Sequence, residues 1–240
     1  ARELGMALAP LAHQRGIALA LEADTEVWLR GEPMLLHELI YNLVDNALAH
    51  TPGGNVVVRV LAPALRGFAP TRCREAGAPR SGQLSALGLD LLDFIDVLGL
   101  AQPALIGHDW GARAAANACG LRDGVASHLA MLSVGYGTND PNQPMSLAQA
   151  RNYWYHWYMA TPRGERVVRE EREAFARQMW DTWAPAGWYD PADFDEAARA
   201  FQGEDWAEIV LHSYRHRWGF AEGDPAYAED EARLNPEKLG

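Results

Sequence analysis

Gly107-His108-Asp109-Trp110-Gly111 is the stretch of this 240-residue chain whose residue types and spacing speak most directly of chemistry. It follows the apolar run Pro103 to Ile106 and opens the small-residue stretch Trp110 to Ala118, so it reads as strand, sharp turn and helix start. A side chain on such a turn stands at the N-terminus of the next helix, where the helix dipole and free N–H groups favour an anion. A carboxylate held there stays ionised and can attack carbon. The backbone of a nucleophile on this turn is strained, and bulk at either flanking glycine is expected to clash. An Asp that merely caps a helix is the plainer alternative. The preceding strand, both glycines and Ala112, Ala114 and Ala115 favour the tight turn.

Elements of two kinds must position that turn. Ile17 to Leu21 and Glu26 to Leu29 read as short strands. Met34 to Ala49 carries a helical stripe through Leu35, Leu36, Leu39, Ile40, Leu43, Val44, Ala47 and Leu48, with Pro33 fit for its first turn. Thr51-Pro52-Gly53-Gly54 turns the chain into the β-branched run Val56 to Leu61. After a loop rich in Gly, Pro and Arg, Ser81 is placed to cap a helix reaching about Leu98, and His128 to Val134 is a further strand. This alternation predicts an α/β fold with a mostly parallel sheet. From Ser146 onward only helical patterns follow, broken near Pro162, Pro185, Pro191 and Gly203, and they predict a cap over that sheet.

The balance of charge narrows the partners. With 21 basic and 32 acidic side chains the formal net charge is −11, which speaks against nucleic acid or an anionic membrane surface. Cys73 and Cys119 alone suggest neither a disulfide framework nor a thiolate metal site, and a reducing cytoplasm is the expected location. No apolar run reaches membrane-spanning length, and no signal pattern opens the sequence. Most of the nine Trp residues lie between Trp154 and Trp218, a local aromatic load.

From about Val58 to Leu234 the chain resembles the epoxide hydrolase and haloalkane dehalogenase branch of the α/β-hydrolases. The resemblance rests on Arg66-Gly67-Phe68-Ala69-Pro70-Thr71, on the segment Asp90 to Leu100, and on the Gly-His-Asp-Trp-Gly turn. It implies that Asp109 attacks an electrophilic carbon to form an alkyl-enzyme ester, and that the Trp110 backbone N–H is half of an oxyanion hole. The stretches Tyr155 to Pro162 and Ser213 to Trp218 resemble those that carry two cap tyrosines, which makes Tyr155 and Tyr214 the candidates to protonate an epoxide oxygen. Both could equally be core aromatics. In the dehalogenase alternative an indole N–H such as that of Trp110 holds halide. The implied substrate is a small apolar electrophile such as an epoxide, with no cofactor.

Two features depart from that pattern. No His-Gly pair is present to supply the second oxyanion donor, and the histidine and acid that complete the cycle would follow the cap. His108, His128, His212 and His216 are not placed to replace that histidine. The expectation is a hydrolase that forms its ester without turning it over. Residues Leu35 to Gly54 resemble the ATP-binding domain of a sensor histidine kinase, with Asn42 and Asn46 four apart on one helix face as would-be ligands for ATP and Mg²⁺. The Gly-rich nucleotide motifs of that family are missing. The resulting expectation is a join of two partial families, natural or artificial. It comprises a short α+β histidine-kinase-ATPase-like segment (1–57), a partial α/β-hydrolase sheet (58–145) and a helical cap (146–240).

Overall fold

The computed structural model describes residues 2–22, 33–134 and 144–234. Contacts divide the chain into two compact units, Ala1–Pro63 and Ala64–Gly240. The first contains α1 (Arg2–Gln14), β1 (Ile17–Glu22), α2 (Pro33–His50) and β2 (Gly54–Arg59). β1 and β2 pair in parallel, from Ile17 opposite Gly54 to Glu22 opposite Arg59. The last of these pairs also carries an exposed ion pair between Arg59 and Glu22. The predicted stripe of α2 supplies Val44 and Leu48, which join Leu8, Ala12, Ile17 and Val56 in one core. Asn42 and Asn46 face solvent. The sequence reading did not anticipate α1, because Gly5 and Pro10 interrupt its helical propensity. Its Leu8, Leu11 and Ala12 nonetheless recur at helical spacing against the core. The expected strand at 26–29 lies outside the described residues. β2 pairs within the first unit.

The second unit contains α3 (Leu84–Val97), β3 (Ala104–His108), α4 (Trp110–Leu121) and β4 (His128–Leu132). Its helical remainder is α5 (Leu147–Asn152), α6 (Trp154–Met159), α7 (Pro162–Glu170), α8 (Arg172–Trp183), α9 (Pro191–Ala200), α10 (Trp206–Arg217) and α11 (Ala228–Arg233). β3 and β4 pair in parallel with Gly107 opposite Met131. The described strands therefore form two separate parallel pairs rather than one sheet. Alternation of strands and helices predicts parallel pairing, but it does not say which strands are neighbours. Pro162 and Pro191 begin α7 and α9, where Thr161 and Asp190 accept hydrogen bonds from Gly164 N and Ala192 N. A proline at the first helical position gives up an N–H that would have been unpaired there anyway.

Ser81 does not cap α3. The helix opens at Leu84 with Gln83 in the cap position and no side-chain capping bond. Ser81 Oγ instead accepts from Gln83 N at 3.2 Å and donates to Gln83 Oε1 at 2.9 Å. The segment between them is spent on a tertiary contact: a Cβ on Gly82 would lie 2.3 Å from the Ile209 carbonyl oxygen of α10. The loop and the helix that carry the family resemblance are tied to each other. Arg66 Nε and Nη2 grip both carboxylate oxygens of Asp90 at 2.6 Å, and Arg66 Nη1 reaches Ser81 O at 3.0 Å. This two-pronged geometry is the strongest form of such a pair.

α4 serves two cores. Trp110 and Ala114 join Met159, Val168, Phe175, Met179 and the α10 residues Trp206, Ala207, Ile209, Val210 and Leu211. Ala115, Ala118 and Leu121 turn toward Leu92, Ile95, Leu105, Val125 and Leu234. α3 comes close to it at a glycine of its own: a Cβ on Gly88 would sit 2.8 Å from Asn117 Cβ of α4.

Candidate active site

Asp109 occupies the junction of β3 and α4 with φ 47° and ψ −111°, a conformation rare for any residue but glycine. Its N–H donates to Leu132 O at 3.2 Å, which extends the β3–β4 ladder by one step, and its carbonyl accepts from Arg113 N at 3.0 Å, which starts the helix. The residue is thus held by backbone bonds to a strand on one side and a helix on the other. Its carboxylate makes no capping bond to α4, so the side chain is not committed to the helix end.

The two glycines of the turn differ. A Cβ on Gly107 would lie 2.3 Å from Gly111 O and 2.4 Å from Ala112 N, so the strand passes against the first turn of α4 with no room for a side chain. A Cβ on Gly111 would meet nothing within 4 Å. The expected clash at both positions holds at Gly107 alone, because Gly111 turns its α-hydrogens into open space.

Trp110, Tyr155 and Tyr214 come together from α4, α6 and α10. The Trp110 ring lies 5.8 Å from Tyr214, and Tyr155 meets Tyr214 at 5.5 Å in an edge-on arrangement. Trp110 is buried and packs edge-on against Phe68. Burial pushes both phenols above their ordinary range, and the Asp109 charge pushes in the same direction. Both therefore stay protonated and able to donate at neutral pH. The Arg217 guanidinium opposes this shift from 4.7 Å over the Tyr214 ring and 5.5 Å from that of Trp110, while Nη2 donates to Ser213 Oγ at 3.0 Å.

Sequence reasoning missed two members of this cluster. Arg113 is buried in a helix read as merely small, and desolvation with the nearby Arg217 charge lowers its pKa. His156 is only 4% exposed and lies among the rings of Tyr153, Tyr155, Tyr214 and Trp218. Burial and the charges of Arg217 and Arg113 bring its pKa down to about 3. No local signal marks either residue, since their partners lie on other helices. His212 accepts from Gly82 N at 3.0 Å and contacts Glu222 O at 3.0 Å, both structural roles. His216 faces Glu231, His128 contacts Ser127, and His108 is exposed. No group of side chains suited to a metal ion occurs among the described residues. None of their helices is long and apolar enough to cross a membrane.

A strand, a strained acidic turn and a helix, with aromatic helices packed on that helix, define a class of protein. Residues 25–238 match the model of the alpha/beta hydrolase family, and the chain belongs to that family. Among curated relatives, Epoxide hydrolase 3 of Siraitia grosvenorii is 30% identical over 128 residues, which cover 53% of this chain and 35% of that protein. Epoxide hydrolase 2 of the same plant is 37% identical over 84 residues, covering 35% of this chain and 26% of that protein. The chain thus matches about a third or less of the length of either. A crystal structure from Klebsiella pneumoniae, of a protein provisionally described as an epoxide hydrolase, superposes with a TM-score of 0.68 at 29% identity. That match covers 91% of this chain and 68% of the Klebsiella chain. The resemblance to a histidine kinase finds no support in these comparisons, and the family match itself takes in α2, Asn42, Asn46 and β2.

Proposed function

We propose that the second unit carries out the alkylating step of epoxide hydrolysis, with Asp109 as nucleophile. The observation that carries this reading is the Asp109 turn itself. Its backbone is held in a strained conformation between β4 and α4, and its carboxylate is left out of helix capping. In the step, a carboxylate oxygen of Asp109 bonds to an epoxide carbon as the ring C–O bond breaks, and the electron pair of that bond goes to the ring oxygen. A proton from Tyr155 or Tyr214 neutralises the new alkoxide, which leaves an alcohol, an ester at Asp109 and a tyrosinate that the Arg217 charge stabilises. The Trp110 backbone N–H, at the start of α4, faces negative charge on the Asp109 carboxyl when the ester is attacked in turn. The substrate is a small apolar epoxide, matched to an aromatic surround. No cofactor or metal takes part.

Release of the ester requires a histidine whose free lone pair activates water. The Nδ1 lone pair of His156 is taken by Trp218, and that of His212 by Gly82 N. We therefore expect the ester to accumulate. Incubation of the intact protein with styrene oxide should add one substrate mass, mapped by peptide sequencing to Asp109 and missing in Asp109→Asn. A folded protein that takes up no mass would end this reading.

A further inference from the structure

We propose that His212 is the pin of an acid-released clasp, which holds the strap 222–231 across α10 and the start of α3 and lets it go when the ring takes up a proton. The inference stands apart from the proposed alkylation and would survive its failure. His212 lies where three segments meet. Gly82 N donates to its Nδ1 at 3.0 Å. Nδ1 is therefore an acceptor, and the one proton of the neutral ring sits on Nε2. Nε2 in turn donates to Glu222 O at 3.0 Å. One imidazole thus ties the turn before α3 to α10, and α10 to the strap.

Neighbouring contacts continue the tie. Asp224 N donates to Gln83 Oε1 at 2.5 Å, Ser85 Oγ donates to Glu231 Oε1 at 3.2 Å, and His216 Nε2 lies 3.6 Å from Glu231 Oε2. There is little slack on either side of the ring. A Cβ on Gly82 would lie 2.7 Å from Ser213 N, and one on Gly223 would lie 2.9 Å from both Gln83 Nε2 and His216 Nε2. A proton on Nδ1 would set two donors, the ring N–H and the Gly82 N–H, against each other, and the bond between them would be lost.

The charges around the ring decide which form of the strap takes the proton. A cleft of about 460 Å³ opens beside His212, so water reaches it. The groups that face it are Arg80 from the loop before α3, Glu208 and His216 on α10, and Glu222, Asp224 and Glu231 on the strap. Burial holds the closed ring below the usual histidine range, and a charge on His216 acts the same way, against the pull of Glu222 O, Asp224 and Glu231. The two imidazoles are stacked with centroids 5.6 Å apart, so a charge on one opposes a charge on the other. With the strap open, His212 stands in water and titrates at about 6.5. The open form therefore binds the proton more readily, and each pH unit below that value favours opening by up to about tenfold.

Amide hydrogen exchange on the whole chain tests the clasp. With the intrinsic pH dependence of exchange divided out, the opening constants of Gly82 and Asp224 should rise up to about tenfold between about pH 7.5 and about pH 5.5. The amides of α4 should keep theirs. His212→Asn retains an oxygen to accept from Gly82 N but has no ring to titrate, and its opening constants should be equal at both values. Constants that stay level with pH in the unaltered protein overturn the proposal without recourse to any variant. A rise that persists in His212→Asn would assign the proton to another group, and a rise shared by α4 would mean unfolding of the whole unit. Either result also overturns it.

Discussion

Asp109 and His156 belong to the same unit, yet different forces hold them in place. The Asp109 turn is fixed by its own backbone: a strand bond to Leu132, a helix bond to Arg113, and a close passage of Gly107 against Gly111 four residues on. His156 is fixed by side chains far away in sequence, above all Trp218, 62 residues later. The first kind of site is specified locally and tolerates little change in backbone. The second depends on cap helices packed to interior density, so its chemistry changes with any ring that shifts.

The contrast is open to attack at several points, beginning with the largest effect. Gly107→Val forces a side chain into backbone atoms that cannot rotate away, so its cost should exceed the roughly 1–3 kcal/mol of ordinary overpacking. Urea unfolding would measure this, and a variant as stable as the parent would show that the turn is not locked by close approach. His156 comes next. Its pKa is near 6.5 when unfolded and about 3 when folded. Below pH 6.5 the unfolded chain binds the extra proton, so stability is full above that pH and falls as pH drops toward 3. Between pH 6.5 and 5 this amounts to about 2 kcal/mol, and the same unfolding series on His156→Gln should lack it. An identical pH profile in both proteins would mean that the imidazole is not buried as neutral.

Asp109→Gly should act in the opposite direction. Removing the side chain relieves the positive φ and should stabilise the fold by about 1 kcal/mol while abolishing the styrene oxide adduct. A thermal melt alongside the mass measurement would separate the two effects. Loss of stability would place the carboxylate among the groups that hold the turn. The smallest effect is expected at Gly111→Ala, where the new methyl enters open space on a helix. It should stabilise by up to about 1 kcal/mol through helix propensity, and a destabilisation comparable to that of Gly107→Val would erase the distinction between the two glycines.

Legibility in the sequence followed the same division. The Asp109 turn could be read because its parts are contiguous: apolar strand, glycine, acid, glycine, small helix. The stripe of α2 and the prolines that begin α7 and α9 were equally local signals. Ser81 was misjudged because a residue suited to capping was drawn instead into the turn that lets α10 approach Gly82. α1 was overlooked because its helix survives Pro10 only with Leu8 and Ala12 buried against the core.

The sequence by itself therefore determined the alternation of strand and helix, the family, and the acid at the turn, since each is written in neighbouring residues. Only the tertiary structure decided that Gly107 has no room for a side chain and Gly111 has, that Arg66 clasps Asp90, and that Trp110, Tyr155 and Tyr214 share one cluster with His156 and Arg217. The same holds for the proton on His156. Either ring nitrogen of a neutral histidine can carry the proton, and it took a tryptophan at the end of another helix and burial among aromatic rings to make one an acceptor and the other a donor.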